Sequence, residues 1–172
     1  MNRIIIIGPG GAGKSTLAAQ IHKKTGLPLI HLDAHYWHPN WTESEASVWE
    51  AKVRELIKAD RWVMDGNYGG TMDMRIERAD TIIFLNRSRW ICIFRVLKRT
   101  WKFYGTDRPS MGKNCPERFS WQFILYLYNY PQTRTPKILR KLQKVQSEKA
   151  VHILTNDQMV RDFLTQLRKA EK

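Results

Sequence analysis

Nine residues near the start of the chain, Gly8-Pro9-Gly10-Gly11-Ala12-Gly13-Lys14-Ser15-Thr16, have the types and spacing needed to hold a row of phosphates. They fit the pattern G-x-x-x-x-G-K-[ST], a phosphate-binding loop. Glycines lack a Cβ, so successive backbone N–H groups can curl around phosphate oxygens. A helix that starts at the end of the loop adds its positive pole. Lys14 is placed to reach the β and γ phosphates, and Ser15 to give its hydroxyl to Mg²⁺. The cofactor set read from this segment is Gly8, Gly10, Gly11, Ala12, Gly13, Lys14, Ser15 and Thr16. Its ligand is ATP or another nucleoside triphosphate, with Mg²⁺.

Such a loop works with a second, metal-orienting acid at the end of another strand. Two apolar runs could supply it: Trp62-Val63-Met64 ends in Asp65, and Ile82-Ile83-Phe84-Leu85 ends in Asn86. An amide carries no charge to offset Mg²⁺, so Ser15 and Asp65 are the metal pair, Asp65 directly or through water. Asp65 before Gly66 also suits a plain turn. Asp33 follows a third apolar run and could orient or deprotonate an acceptor hydroxyl; it could equally cap a helix or turn. His31, His35 and His38 lie close in sequence, but Pro39 breaks any shared helical face, so they read as packing or substrate contacts rather than metal ligands. Trp37 and Trp41 could stack on a base or pack the segment that carries them.

These residues need elements to position them. Arg3–Ile7 is a short apolar run ending in glycine, a buried strand. Residues 15–25 read as a helix, stopped by Gly26-Leu27-Pro28. Further strands are predicted at 29–32, 62–64, 81–85 and 151–154. Further helices are predicted from a Thr42/Glu45 capping box to about Ala59, over 88–104, 117–130 and 132–146, and after an Asn156 cap. Alternation of strand and helix argues a three-layer α/β fold with a five-stranded parallel sheet. Ligands of such sheets sit beyond the carboxyl ends of the strands, which is where the phosphate loop, Asp33 and Asp65 fall.

The charge is unevenly placed. Residues 87–144 hold fourteen Lys/Arg against Asp107 and Glu117, a net +12 of the chain's +13. A polyanion is the implied partner, either several phosphates or nucleic acid through this segment; a solvated surface is the plainer alternative. No zinc-finger spacing or aromatic RNA-binding signature accompanies the cations. In the helix over 88–104, Trp90, Phe94, Leu97, Trp101 and Tyr104 form one stripe, and Arg95, Lys98, Arg99 and Lys102 lie on another face. The chain's 42% hydrophobic content and seven tryptophans fit one globular domain spanning 1–172. Two distant cysteines, Cys92 and Cys115, argue against a disulfide framework and for a reducing cytoplasm. No apolar run approaches the roughly 20 residues of a membrane span, so no membrane partner is expected.

The phosphate loop, the Asp33 segment and Asp65-Gly66 together resemble the adenylate kinase-like family of small P-loop kinases. His31-Leu32-Asp33 with Trp37 and Trp41, Trp62 to Tyr68, Arg75, Arg95, Arg99 and Gly112 to Glu117 extend the likeness to bacterial proteins called DNA topology modulation proteins. Strict nucleoside monophosphate kinases carry Asp-Gly-Phe-Pro-Arg where this chain has Asp65-Gly66-Asn67-Tyr68, so a monophosphate site is not implied. The resemblance implies an acceptor flap over about 33–60 and a lid over about 105–118 whose neighbouring arginines close on the transferring phosphates. Arg95 and Arg99 are then catalytic beside Lys14 and Asp33, while Asp33, Trp37, Asp65, Asn67 and Arg75 bind substrate, Arg75 holding an acceptor phosphate. The sequence thus points to a phosphotransferase acting on a small-molecule acceptor. The rival reading is an ATP-dependent nucleic-acid-binding protein that modulates DNA topology. A third is a nucleotide switch without transfer chemistry.

Overall fold

A computed structural model describes residues 1–108 and 110–169. The chain runs β1 (Arg3–Ile7), α1 (Lys14–Thr25), β2 (Leu29–His31), α2 (Leu32–Tyr36), β3 (Trp37–His38), β4 (Thr42–Glu43), α3 (Ala46–Leu56), β5 (Trp62–Asp65), α4 (Met72–Arg78), β6 (Thr81–Leu85), α5 (Arg89–Phe103), α6 (Trp121–Thr133), α7 (Thr135–Val145), β7 (Ala150–Leu154) and α8 (Asp157–Lys169). Five strands form one parallel sheet in the order β2-β5-β1-β6-β7. β1 is its centre. Its four isoleucines are fully buried because helices cover both faces of a parallel sheet. Ile4, Ile6, Val63 and Ile83 pack with Leu17 and Ile21 of α1 and Phe163 of α8. Ile5, Ile7, Met64 and Phe84 pack on the other face, with Trp49 and Val53 of α3, Ile76 of α4 and Ile138 of α7. The three-layer α/β architecture expected from the strand–helix alternation is therefore present.

Two boundaries differ from expectation. Thr42 does not cap a helix: it lies in the β3–β4 hairpin and its Oγ1 donates to Pro39 O at 3.1 Å. α3 starts four residues later, with Glu45 at its N-cap. The helix expected from Glu117 begins at Trp121, because Ser120 Oγ accepts the Phe123 N–H at 3.2 Å and fixes the N-terminus there. Asn156 does cap the last helix, accepting from Met159 N at 2.8 Å.

The faces of α5 carry the larger surprise. Its aromatic stripe points to solvent, with Trp101 85% exposed. The buried side is Cys92, Val96 and Thr100, with Arg95 and Arg99 beside it. Arg95 and Arg99 turn inward because this face of α5 lies against the phosphate loop rather than against an apolar layer, whereas Lys98 and Lys102 stay exposed. Among the described residues no helix is long and apolar enough to cross a membrane.

Candidate active site

The loop between β1 and α1 opens at the carboxyl edge of the sheet. Gly13 sits at the N-cap of α1 with φ 99°, a left-handed backbone that glycine adopts without strain. A Cβ at Gly11 would run into the Cys92 carbonyl and the Val96 side chain of α5, and one at Gly10 into the Phe123 ring of α6. The glycines thus serve close packing as well as backbone curvature: α5 and α6 press on the loop from outside. Lys14 Nζ donates to Pro9 O at 3.0 Å, holding the ammonium over the loop. Burial pushes its pKa below the ordinary lysine value, and the nearby Asp33 and Asp65 pull it back up.

The adjacent strand β5 brings Asp65 to the start of α1. Ser15 Oγ donates to Asp65 Oδ2 at 2.6 Å, and Asp65 Oδ1 lies 2.5 Å from His31 Nδ1 at the end of β2. The hydrogen bond that His31 donates to Asp65, helped by the carboxylate charge, raises the imidazole above its ordinary pKa against the effect of burial. Two oxygen donors side by side at the mouth of a phosphate loop fit Mg²⁺, which takes few protein ligands and completes its shell with water and phosphate. Among the described residues no three His, Cys, Asp or Glu side chains cluster as a self-sufficient metal cage. His31 is thus a support for Asp65. His38 faces Ser44 at 3.1 Å instead.

A cavity of about 1270 Å³ extends from the loop to Asp33 and Tyr68. Its wall includes Asp33, Trp37, Asn67, Tyr68, Arg95 and Arg108 as well as the loop. Asp33, in the first turn of α2, accepts the Tyr68 hydroxyl at Oδ1, 2.6 Å away. Burial and the Asp33 charge push the Tyr68 phenol far above its ordinary pKa, so it stays a donor. Trp37 stands edge-on to Trp41, with ring centres 5.3 Å apart. Asn67 lines the cavity, yet its amide is engaged structurally: Oδ1 accepts from Gly8 N at 2.9 Å and Nδ2 donates to Tyr130 OH at 3.2 Å.

Arg75 is placed elsewhere than expected. It is fully buried behind the 66–68 turn. Its guanidinium donates to the carbonyls of Thr71 (3.2 Å), Gly66 (2.9 Å), Tyr68 (3.0 Å) and Asn67. A side chain whose donors are spent on four backbone oxygens cannot clamp an acceptor phosphate. Arg75 instead fixes the turn that carries Asn67 and Tyr68.

Two acids that sequence reasoning left out organise the arginines. Glu117 is 3% exposed and joins Arg99 (3.0 Å), Arg108 (2.5 Å) and Thr100 Oγ1 (3.0 Å). Asp157, at the start of α8, pairs with Arg87 (2.6 Å) and Arg95 (2.9 Å). Arg87 keeps a buried Nε without a hydrogen-bond partner, whereas Arg108 Nε lies against Glu117 Oε2. Both acids left a trace in the sequence. Glu117 is one of only two acids in the +12 segment, and Asp157 follows the last strand at its carboxyl end.

The 105–118 segment is clasped at its base, where Gly105 N donates to Glu117 O (3.0 Å) and Glu117 N to Thr106 O (2.9 Å). It is also stitched to the 37–41 hairpin. Asn40 N donates to Asn114 O (2.9 Å), Trp41 Nε1 to Pro116 O (2.9 Å) and Cys115 Sγ to His38 O (3.1 Å).

With this geometry in hand, three solved structures are informative. The shikimate kinase from Acinetobacter baumannii in complex with shikimate superposes with a TM-score of 0.65 at 18% identity, over 99% of this chain and 93% of that one. A gluconokinase from Sinorhizobium meliloti 1021 gives 0.55 at 19% identity, over 98% and 93%. The shikimate kinase from Bacteroides thetaiotaomicron gives 0.54 at 17% identity, over 99% and 98%. The fold is that of the small P-loop kinases. No family model and no curated protein matches the chain. None of the three structures bears on DNA topology, so that closer resemblance is not supported. Nor is the nucleic-acid reading of 87–144. Its arginines 87, 95, 99 and 108 line the cavity against Asp157 and Glu117, and Lys141 pairs with Asp73, so the charge does not form one free stripe.

Proposed function

We propose that this protein transfers the γ-phosphoryl group of ATP to a hydroxyl of a small acceptor. One observation carries the reading. The phosphate loop, whose Ser15 is paired with Asp65, and a carboxylate at Asp33 line the same cavity, and Arg95 and Arg99 are in its wall. The acceptor hydroxyl attacks the γ phosphorus, the bond from that phosphorus to the β–γ bridging oxygen breaks, and ADP leaves. Asp33 Oδ1 is held by Tyr68, so its second oxygen receives the acceptor proton. Ser15, and Asp65 directly or through water, would hold Mg²⁺, which would supply positive charge to the triphosphate. Lys14, Arg95 and Arg99 stabilise charge that spreads over the γ-phosphoryl oxygens in the transition state. Arg87 and Arg108 also line this cavity and add positive charge to it. The 33–60 flap, with Trp37 and Trp41, and the 105–118 lid exclude water so that the acceptor, not water, takes the phosphoryl group.

The test is to incubate the protein with ATP, Mg²⁺ and a panel of polyols, sugar acids, nucleosides and nucleotides, and to detect phosphorylated product. A phosphorylated acceptor is expected. ATP hydrolysis that no acceptor diverts into phosphorylated product would overturn the reading. Lys14→Ala should weaken ATP binding by roughly ten- to a hundred-fold, the effect of removing a charge-assisted contact. Calorimetry on a variant with unchanged circular dichroism checks this, and unaltered affinity would remove the loop from the nucleotide site.

A further inference from the structure

The outer face of α5 and α6 has no use in the proposed chemistry. Trp90, Phe94, Leu97 and Trp101 are 65%, 66%, 42% and 85% exposed along α5. Trp121, Leu125 and Tyr128 continue the face on α6, at 64%, 46% and 43%. The two helices pack side by side. The Trp90 ring sits 5.8 Å from that of Tyr128, so the start of α5 meets the end of α6 and the stripes run antiparallel. An aromatic residue offers about 150–250 Å², so these seven side chains expose on the order of 900 Å² together. The largest apolar patch on a typical monomer is about 300–600 Å².

We propose that this face is where two copies of the chain meet, across a two-fold axis that sets α5 against α5. The area decides the kind of partner first. A stable interface takes about 800 Å² from each partner, which this face supplies. Its composition agrees, since interface cores are rich in Trp, Tyr and Phe and poor in Lys and acids, with charge at the rim. The stripe from Trp90 to Trp101 carries no charge along its middle. Lys98 and Lys102 lie on its flank, where rim residues sit, and α5 and α6 contain no acid. A partner held by its negative charge would need the cations inside the contact. The inward side of the same helix carries Val96, Arg95 and Arg99 against the phosphate loop, so pairing would brace the arginine helix from behind.

Charge makes the proposal testable in a particular direction. Each copy carries +13 and rim cations without acids to meet them. Self-association should therefore tighten as salt screens the repulsion, whereas docking of an anionic partner weakens with salt. Sedimentation equilibrium of the full chain up to about 100 µM, at about 0.05 and 0.5 M NaCl, is expected to show a dimer with the smaller dissociation constant at high salt. Trp101→Glu should weaken it by about 30-fold or more, the scale of losing an aromatic anchor, and Trp101→Phe should keep it. At 85% exposure Trp101 adds little to the monomer's own packing, so Trp101→Glu is expected to fold, with circular dichroism as the check. A monomer at both salt concentrations, a dimer indifferent to Trp101→Glu, or a monomer that pellets with anionic vesicles would each overturn the proposal. None of these outcomes depends on whether phosphotransfer is found.

Discussion

Asp33→Asn is expected to lower phosphoryl transfer by roughly 10²- to 10⁴-fold, the range for loss of a positioned general base, while ATP affinity stays within a few-fold of the original. Both halves of this expectation come from where the carboxylate sits. Asp33 belongs to α2, beyond β2, and its Oδ1 is fixed by the Tyr68 hydroxyl at 2.6 Å. The triphosphate end is built by other elements: Lys14 and Ser15 from α1 and Asp65 from β5. Asparagine keeps the shape and can still accept from Tyr68, so the fold and the loop are undisturbed. What it loses is the basic oxygen that takes the acceptor proton. Tyr68→Phe should show a smaller loss in the same direction, because it frees the carboxylate to rotate without removing it. Single-turnover transfer and calorimetric ATP binding, measured on the same preparations, separate the two effects. If Asp33→Asn abolishes ATP binding, the carboxylate belongs to the triphosphate site and the division of the cavity into two ends is wrong.

The legible part of this molecule in its sequence is what depends on local pattern. Four consecutive isoleucines before a glycine loop could only be a central strand, and the strand-end rule put Asp33 and Asp65 at the right edge of the sheet. The parts that were not legible depend on long-range pairing. Glu117 and Asp157 reveal their role only when they are folded back onto α5, Glu117 onto Arg99 across 18 residues and Asp157 onto Arg95 across 62. The stripe on α5 shows the same limit from the other side. Periodicity marks two unlike faces on that helix, but the sequence does not say which one turns inward. Here the phosphate loop takes the cationic face, because Gly11 admits the α5 backbone at Cys92 and brings Val96, Arg95 and Arg99 with it. Arg75 was misread for a related reason. A conspicuous arginine near Asp65-Gly66 suggests a phosphate clamp until its four carbonyl partners are seen.

Those partners make Arg75→Met the variant with the largest expected effect on stability, a loss of about 3–5 kcal/mol, as for other buried charges and networks broken on one side. Against the 5–15 kcal/mol that holds a typical domain together, this is a large share. The guanidinium satisfies carbonyls at Gly66, Asn67, Tyr68 and Thr71, with no carboxylate among its hydrogen-bond partners. Burial pushes its pKa down to about 10, so it remains charged near neutral pH and each bond is charge-assisted. Methionine fills much of the volume but removes the guanidinium donors from the carbonyls of Gly66 and Asn67, while Tyr68 O keeps the Thr71 N–H and hydroxyl. Arg75→Lys should recover only part of the loss, since an ammonium has three donors and no planar fork. Urea denaturation at pH 7 measures the change. The residue's position also predicts a functional consequence at temperatures where the variant is still folded. The 66–68 turn carries Asn67, which tethers Gly8, and Tyr68, which holds Asp33. Loosening it should lower turnover through both ends of the cavity at once, without a specific rise in the Michaelis constant for the acceptor. An Arg75→Met protein that is as stable as the original but has lost acceptor affinity alone would return Arg75 to the cavity as a direct ligand.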